Sequence, residues 1–381
     1  MKTYDVIIIG AGAAGLFAAA QLSKRKKTTL IIDMGQRPAR KVAISGGGNC
    51  NFTNTRADYT HYFGKNPRFV MSALAQFSPQ NTLNWAKSHN IKYIERETGR
   101  YFCKSGTDEI IDALLKDIGN TEIKFNINVS DIEKQNGLFI IKTDHGDFSA
   151  KSVIVATGGV SYPNLDVSNV GHTVAKNFGH KIEPIRPALC AVKTRAFDST
   201  LAGISVPVEI TVNKQKINDS LLFTHFGIGG PGTYRATLIN PKEMVIDFAP
   251  NLDVFDFLKE SKHTNGKKSV SNVIAEIIPT KLAKFICNNT HNIADVRDIE
   301  LKQIATKINH FEINDGSAVG FQSAEVTFGG ISCDKISSKT MKSKLCDGLY
   351  FVGEVMDITG DLGGFNIQWA FSSGFVAGNN A

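Results

Sequence analysis

Val6-Ile7-Ile8-Ile9-Gly10-Ala11-Gly12-Ala13-Ala14-Gly15-Leu16 decides the fold of this 381-residue chain. Four consecutive apolar residues suit a parallel strand buried on both faces better than an alternating, half-wet one. The run stops at a glycine turn, and Ala14, Leu16, Ala18 and Leu22 then set the period of a helix from Ala13. Ser23-Lys24-Arg25-Lys26-Lys27 closes that helix with cations that suit its carboxyl-terminal dipole, and Thr29-Leu30-Ile31-Ile32-Asp33 is the returning strand. A lone GxGxxG is a weak signal, but this one has a strand before it, a helix after it and Asp33 at the end of the next strand. Gly10 permits the tight turn, Gly12 lets a pyrophosphate approach the backbone, and Gly15 allows helix and strand to pack closely. Gly10, Gly12, Ala13, Ala14 and Gly15 are therefore expected to grip adenosine diphosphate at a helix amino terminus. Asp33 is expected to accept from the ribose, its charge disfavouring a 2′-phosphate.

The length predicts two or three domains. Apolar residues make up 42% and charged residues 21%, and no apolar run approaches the roughly 18 residues of a membrane span. Met1-Lys2-Thr3-Tyr4-Asp5 leads into a stretch too short for a secretory signal, so a cytoplasmic protein without a membrane partner is expected. Six scattered cysteines without a CxxC pair point to reduced thiols and no metal. A net charge of +7 is modest at this length, so nucleic acid is not the expected partner; the oligomeric state stays open.

Beyond Asp33, residues 37–54 are irregular and glycine-rich, with helical patterns at 69–89 and 107–118. Three β-like runs between Glu122 and Ala150 are separated by the hairpin signals Asn136-Gly137 and Asp144-His145-Gly146-Asp147. Another buried strand, 152–155, runs into Ala156-Thr157-Gly158-Gly159. Past Pro187 the texture changes to alternating segments such as 206–212, then to lysine-dotted helices over about 253–310. Leu349-Tyr350-Phe351-Val352-Gly353-Glu354 returns to the first style, and Asn366 to Ala377 reads as a terminal helix whose Ile367, Trp369, Ala370, Phe371 and Phe375 favour burial.

The fingerprint alone does not separate NAD from FAD. The strand ending in Thr157-Gly158 and the one ending in Gly353-Glu354 resemble the later motifs of two-domain flavoproteins, in which they line one cofactor. There an acidic residue, here Glu354, approaches the ribityl or phosphate region. A glycine turn, here Gly363-Gly364-Phe365-Asn366, opens a helix beside the flavin. A helix amino terminus there has a physical use, because reduction places negative charge around N1 and the C2 carbonyl. FAD is the expected cofactor, with NAD(P)H as a transient co-substrate.

Four strings, 41–54, 222–231, 324–330 and 364–374, resemble the HI0933-like family of bacterial flavoproteins over nearly the whole chain. The resemblance implies an α/β fold: a Rossmann-type FAD-binding domain of the two-domain flavoprotein superfamily, from 1–190 and 322–381, with an inserted β-rich and small helical domain at 191–321. It also implies that Lys41, Ser45, Gly46, Gly47, Gly48 and Asn51 join the cofactor site. Asn49 stands where members often carry arginine, which makes that corner less positive. The expected activity is hydride transfer between a small-molecule substrate or NAD(P)H and the flavin, with oxygen or another acceptor reoxidising it. The alternative is an RNA-binding or tRNA-modifying flavoprotein.

Gly227-Ile228-Gly229-Gly230-Pro231-Gly232 also fits GxGxxG, with Asp247 after a strand-like 244–246, but Pro231 and a short helix argue for a loop beside the flavin instead of a second NADH site. His225 and Tyr162 are the candidate catalytic residues, with Cys50 behind them. Lysines 259, 262, 267, 268, 281 and 284 are a candidate RNA face, although a solvated helical surface is the plainer reading.

Overall fold

The apolar run at 6–9 lies at the centre of a seven-stranded sheet in the computed structural model, which describes residues 2–288 and 290–381. The strands are β1 (Thr3–Ile9), β2 (Thr29–Ile32), β3 (Glu122–Lys124), β4 (Val129–Gln135), β5 (Leu138–Thr143), β6 (Phe148–Val155) and β7 (Leu349–Phe351). β1 pairs in parallel with β2 on one side and β6 on the other, so Val6 to Ile9 are buried on both faces. β3 extends the sheet beyond β2. On the far edge of β6, β5 pairs antiparallel with Phe148 to Ala150, and β7 pairs in parallel with Val153 to Val155. The stretch read as a separate strand at 152–155 is therefore the second half of one long strand. Different partners hold its two halves. Asn136 and Gly137 make the β4–β5 turn with φ of +50° and +83°, the two left-handed positions such a turn needs.

Ile9 lies opposite Ile32 and Val155, and Val155 opposite Phe351, so the parallel strands end level. Gly10, Asp33, Thr157 and Gly353 all leave the sheet at this carboxyl edge, where open α/β sheets hold their ligands. The helical pattern at 69–89 is broken by Ser78-Pro79: Val70–Gln76 ends, and Pro79–Ser88 starts on a reciprocal Ser78–Asn81 cap.

Two helices, α1 (Ala13–Lys24) and α2 (Phe365–Asn380), pack directly on each other. A Cβ on Gly374 would stand 2.4 Å from the Ala14 carbonyl oxygen, and one on Gly378 2.4 Å from that of Ala18. Residues four apart share a helix face, so these glycines let the two backbones touch. The Phe17 and Phe371 rings stack at 4.7 Å beside the contact.

The chain divides into two compact units, 1–186 with 325–381, and 187–324. The second has its own core under an antiparallel sheet ordered Phe311–Ile313, Met244–Asp247, Ser205–Val212, Gln215–Thr224, Gly227–Gly229, Val192–Lys193 and Ser317–Ala318. In Ser205–Val212 every second residue, Val206, Val208, Ile210 and Val212, is buried. Helices Val254–Thr264, Val270–Ile274, Thr280–Ile286 and Asp298–Asn309 complete it.

In the first unit Asp357 is 2% exposed and accepts from the Lys65 backbone N–H at 2.8 Å. Burial pushes its carboxyl up to about 6 from an ordinary 3.8. Folding therefore takes up a proton there: the contribution is fully present below about pH 4 and is lost as pH rises through about 6. Asp357→Asn is expected to stabilise the protein by roughly 2 kcal/mol at pH 7.5 and by little at pH 4. Urea unfolding of variant and parent at the two pH values checks this, and an equal difference at both would contradict it.

Candidate cofactor site

At the head of α1, Gly10 donates to the Ile32 carbonyl at 2.8 Å, and Ala156 donates to that of Ile9 at 2.8 Å. A Cβ on Gly15 would lie 2.0 Å from the Gly10 oxygen, and one on Gly10 2.4 Å from the Ala156 oxygen. Gly12 differs, because a Cβ there would meet nothing within 4 Å. It caps α1 without any side-chain hydrogen bond, leaving the first-turn N–H groups of Ala13, Ala14 and Gly15 without intrahelical acceptors. Open space in front of unmet donors is what a pyrophosphate requires. The Thr157 hydroxyl, which has no hydrogen-bond partner, is buried against Gly171. The residues present therefore fit the adenosine diphosphate half of a dinucleotide.

Asp33 is 8% exposed. One carboxylate oxygen accepts from Ala11 N–H at 2.7 Å, the other from Gly35 N–H at 2.8 Å and from Arg40 Nη1 at 2.7 Å. Arg40 also reaches the Leu165 and Asp166 carbonyls. Its guanidinium neutralises the carboxylate that was expected to repel a 2′-phosphate. The charge argument for an unphosphorylated ribose is thereby removed.

The strings at 41–54 and 353–366 meet in the first unit. Lys41 Nζ lies 2.6 Å from Glu354 Oε2, and Glu354 Oε1 accepts from the Thr327 N–H at 2.8 Å. A Cβ on Gly158 would stand 4.0 Å from the same carboxylate. Gly353 sits on α1, its N–H donating to Ser373 and its carbonyl accepting from Trp369 Nε1. Ser45 turns its hydroxyl back to the Val42 carbonyl, and Gly46, Gly47 and Gly48 follow with positive φ; a Cβ on either of the last two would meet no atom within 4 Å. Asn54 donates to the Gly363 carbonyl, and the Asn51 amide, oriented as its neighbours require, accepts from the Gly364 N–H. The two glycine turns thus stand together at the amino terminus of α2, which also lacks a side-chain cap.

A parallel sheet with an uncapped helix at its carboxyl edge, and a second glycine turn and helix beside it, is the FAD-binding Rossmann arrangement; FAD is the cofactor. The HI0933-like protein Rossmann domain model matches residues 4–380, and the chain belongs to this family of flavoprotein oxidoreductases. It is 38% identical to the ribosomal RNA dihydrouridine synthase of Haemophilus influenzae, covering 97% of this chain and 96% of the relative. Identity to the Escherichia coli protein of the same name is 34%, over 99% and 97%. The 3-dehydro-bile acid delta(4,6)-reductase of Clostridium scindens is 27% identical over 98% of each chain. No described helix is long and apolar enough to cross a membrane.

Other sequence readings change in three dimensions. The Phe365 side chain is buried and stacks on His61 at 4.8 Å, and the Asn366 amide bridges Gly360 N–H and carbonyl, so only their backbone is available to a cofactor. The second GxGxxG is no nucleotide turn: Gly227–Gly229 pairs antiparallel with Gln215–Thr224, and Asp247 accepts from Ala249 N–H and Asn309 Nδ2. His225 is exposed at the tip of that hairpin. Tyr162 follows the Gly158-Gly159 turn with φ of +56°. Of the lysines offered as an RNA face, Lys262 pairs with Asp298 and Lys268 with Glu276.

Cys50 is fully buried, and burial raises its thiol to about 12, which disfavours the thiolate at neutral pH. Cys50→Ala is expected to leave flavin reduction unchanged. In the native protein thiol reagents should modify Cys346 first, since the other five cysteines are buried. Mass mapping after brief labelling tests this.

What sequence reading missed is mostly support: Arg40 on Asp33, and Gln368, fully buried, which accepts from Thr53 and from Thr82 at 2.8 Å. A glutamine inside an apolar helix face was the available signal.

Proposed function

We propose that this protein is a flavin-dependent reductase that saturates a C=C bond conjugated to a carbonyl, with the C5=C6 bond of uridine in ribosomal RNA as its substrate. The redox half is carried by one observation: the glycine turns at 46–48 and 363–364 meet at the uncapped amino terminus of α2. That dipole favours the negative charge a reduced ring carries. The RNA half is supported by full-length likeness to two ribosomal RNA dihydrouridine synthases. The bile-acid reductase fits the same bond class, because its named substrate is also an unsaturated carbonyl compound.

FAD, when bound and reduced, would supply the hydride that adds to C6 of the base. The protein then supplies a proton to C5, and Tyr162 and His225 are our candidates for that step. Gly10, Gly12 to Gly15, Asp33 and Thr157 hold the adenosine diphosphate in this reading. Lys41, Ser45 to Gly48, Asn51, Gly158, Gly353, Glu354 and 363–366 shape the flavin side, and the 187–324 unit serves substrate recognition.

The test is anaerobic. Holoprotein is reduced with NADH or NADPH, and then unmodified ribosomal RNA transcribed in vitro, free uridine, or a Δ4-3-ketosteroid is added. Reoxidation by RNA with dihydrouridine in its nuclease digest supports the reading. Reoxidation by the steroid alone replaces it with a small-molecule reductase. Among Tyr162→Phe and His225→Gln, the variant that keeps NAD(P)H bleaching but loses RNA-driven reoxidation identifies the proton donor.

A further inference from the structure

We propose that Arg96 and Arg100 form a clamp for RNA phosphates beside the flavin-side turns; this rests on the RNA reading above. The two arginines end the strands Tyr93–Arg96 and Arg100–Cys103, which pair antiparallel next to Asn51–Asn54. The register sets Arg96 opposite Arg100 and Ile94 opposite Phe102, and strand alternation places all four on one face. That face meets both glycine turns of the cofactor site. A Phe102 ring carbon is 3.4 Å from the position of a Cβ on Gly46, and Arg100 Cδ is 3.1 Å from that of a Cβ on Gly363.

Like charges directly opposite one another destabilise a strand pair. Here neither arginine has an ion pair within 4 Å among the described residues, Glu97 of the turn included: the Arg96 guanidinium lies over the Phe102 ring at 4.4 Å, and Arg100 Nε donates to Thr98 Oγ1 at 2.9 Å. The nearby Glu95 faces the other way and bonds the Tyr101 hydroxyl. The turn joining the strands holds Thr98, a β-branched residue, at φ of +65°, a conformation that costs energy. Arginines without an ion pair, flanking a strained turn beside a reactive site, are explained by an anionic ligand that pairs with them, and the guanidinium fork suits phosphate.

The charge distribution points to the same unit. Residues 187–324 carry 15 Lys and Arg against 14 Asp and Glu, leaving 28 against 22 for the unit that holds this hairpin. Lys92 and Lys104, both exposed and joined by a backbone hydrogen bond at 2.8 Å, continue the positive strip at the hairpin base. A polyanion is attracted along such a strip, whereas a neutral small molecule is not.

The experiment measures binding of unmodified ribosomal RNA, transcribed in vitro, to FAD-loaded protein across a salt series. The proteins are the parent, Arg96→Gln/Arg100→Gln, Arg96→Lys/Arg100→Lys, and Lys259→Gln/Lys267→Gln. Losing two single-strand phosphate contacts lowers the log–log salt slope by about 1.4. The glutamine pair should show that drop with weaker binding, the lysine pair should regain the slope, and the 259/267 variant should match the parent. Flavin absorbance and the rate of bleaching by NAD(P)H should be the same in all four. An unchanged slope in the glutamine pair, with the parent binding RNA, overturns the clamp and leaves the RNA reading standing. Parent protein without salt-dependent RNA binding overturns both. Loss of flavin, or slower bleaching by NAD(P)H, assigns the arginines to cofactor or nicotinamide phosphates and overturns the RNA clamp.

Discussion

Gly12→Val is expected to yield a folded protein without flavin. Its φ of −82° is open to any residue, and no protein atom lies within 4 Å of the added Cβ, so the apo-protein should unfold within about 1 kcal/mol of the parent. The added side chain instead fills the space before the Ala13, Ala14 and Gly15 N–H groups, where the pyrophosphate needs close approach. Gly15→Val should behave oppositely. Its Cβ falls 2.0 Å from the Gly10 oxygen, a backbone atom that cannot swing aside, so stability itself should fall by more than about 3 kcal/mol. Denaturant unfolding of apo-protein together with visible flavin absorbance separates the two. Gly12→Val protein purified with a full complement of FAD would refute the placement of the pyrophosphate.

Gly374→Val should be nearly as damaging, although it lies at the opposite end of the chain from the Gly10–Gly15 turn and helix it packs against. The added side chain starts 2.4 Å from the Ala14 oxygen and 3.2 Å from the Phe17 side chain, so α2 must move off α1. In the proposed placement the amino termini of these helices would face the two ends of the cofactor, which would couple their spacing to FAD binding. Unfolding free energy should fall by roughly 3 kcal/mol or more, and flavin affinity with it. A matched exposed change on α2, Asn379→Val, should do neither. If Gly374→Val melts with the parent, the close helix contact is wrong.

Much of the fold was readable because its causes are local. The buried run at 6–9, the helix from Ala13 and the Asn136-Gly137 turn follow from periodicity and backbone sterics, which neighbouring residues set. The glycine spacing belonged to the same class. The second GxGxxG had equal spacing and failed, because Gly227–Gly229 is claimed by an antiparallel partner, Gln215–Thr224, instead of leading a parallel strand into a helix. Spacing records which turn is possible, not which strand pairs with it.

By itself, then, the sequence determined the β-α-β turn with its glycine spacing and named the residue types proposed for both ends of the cofactor. The tertiary structure decided what those residues face. It paired Lys41 with Glu354 across 313 positions, laid Arg40 on Asp33, buried Cys50, and set Arg96 over Phe102 and Arg100 against Thr98. Charge, desolvation and steric exclusion act through space, so these outcomes exist only once distant segments have packed together.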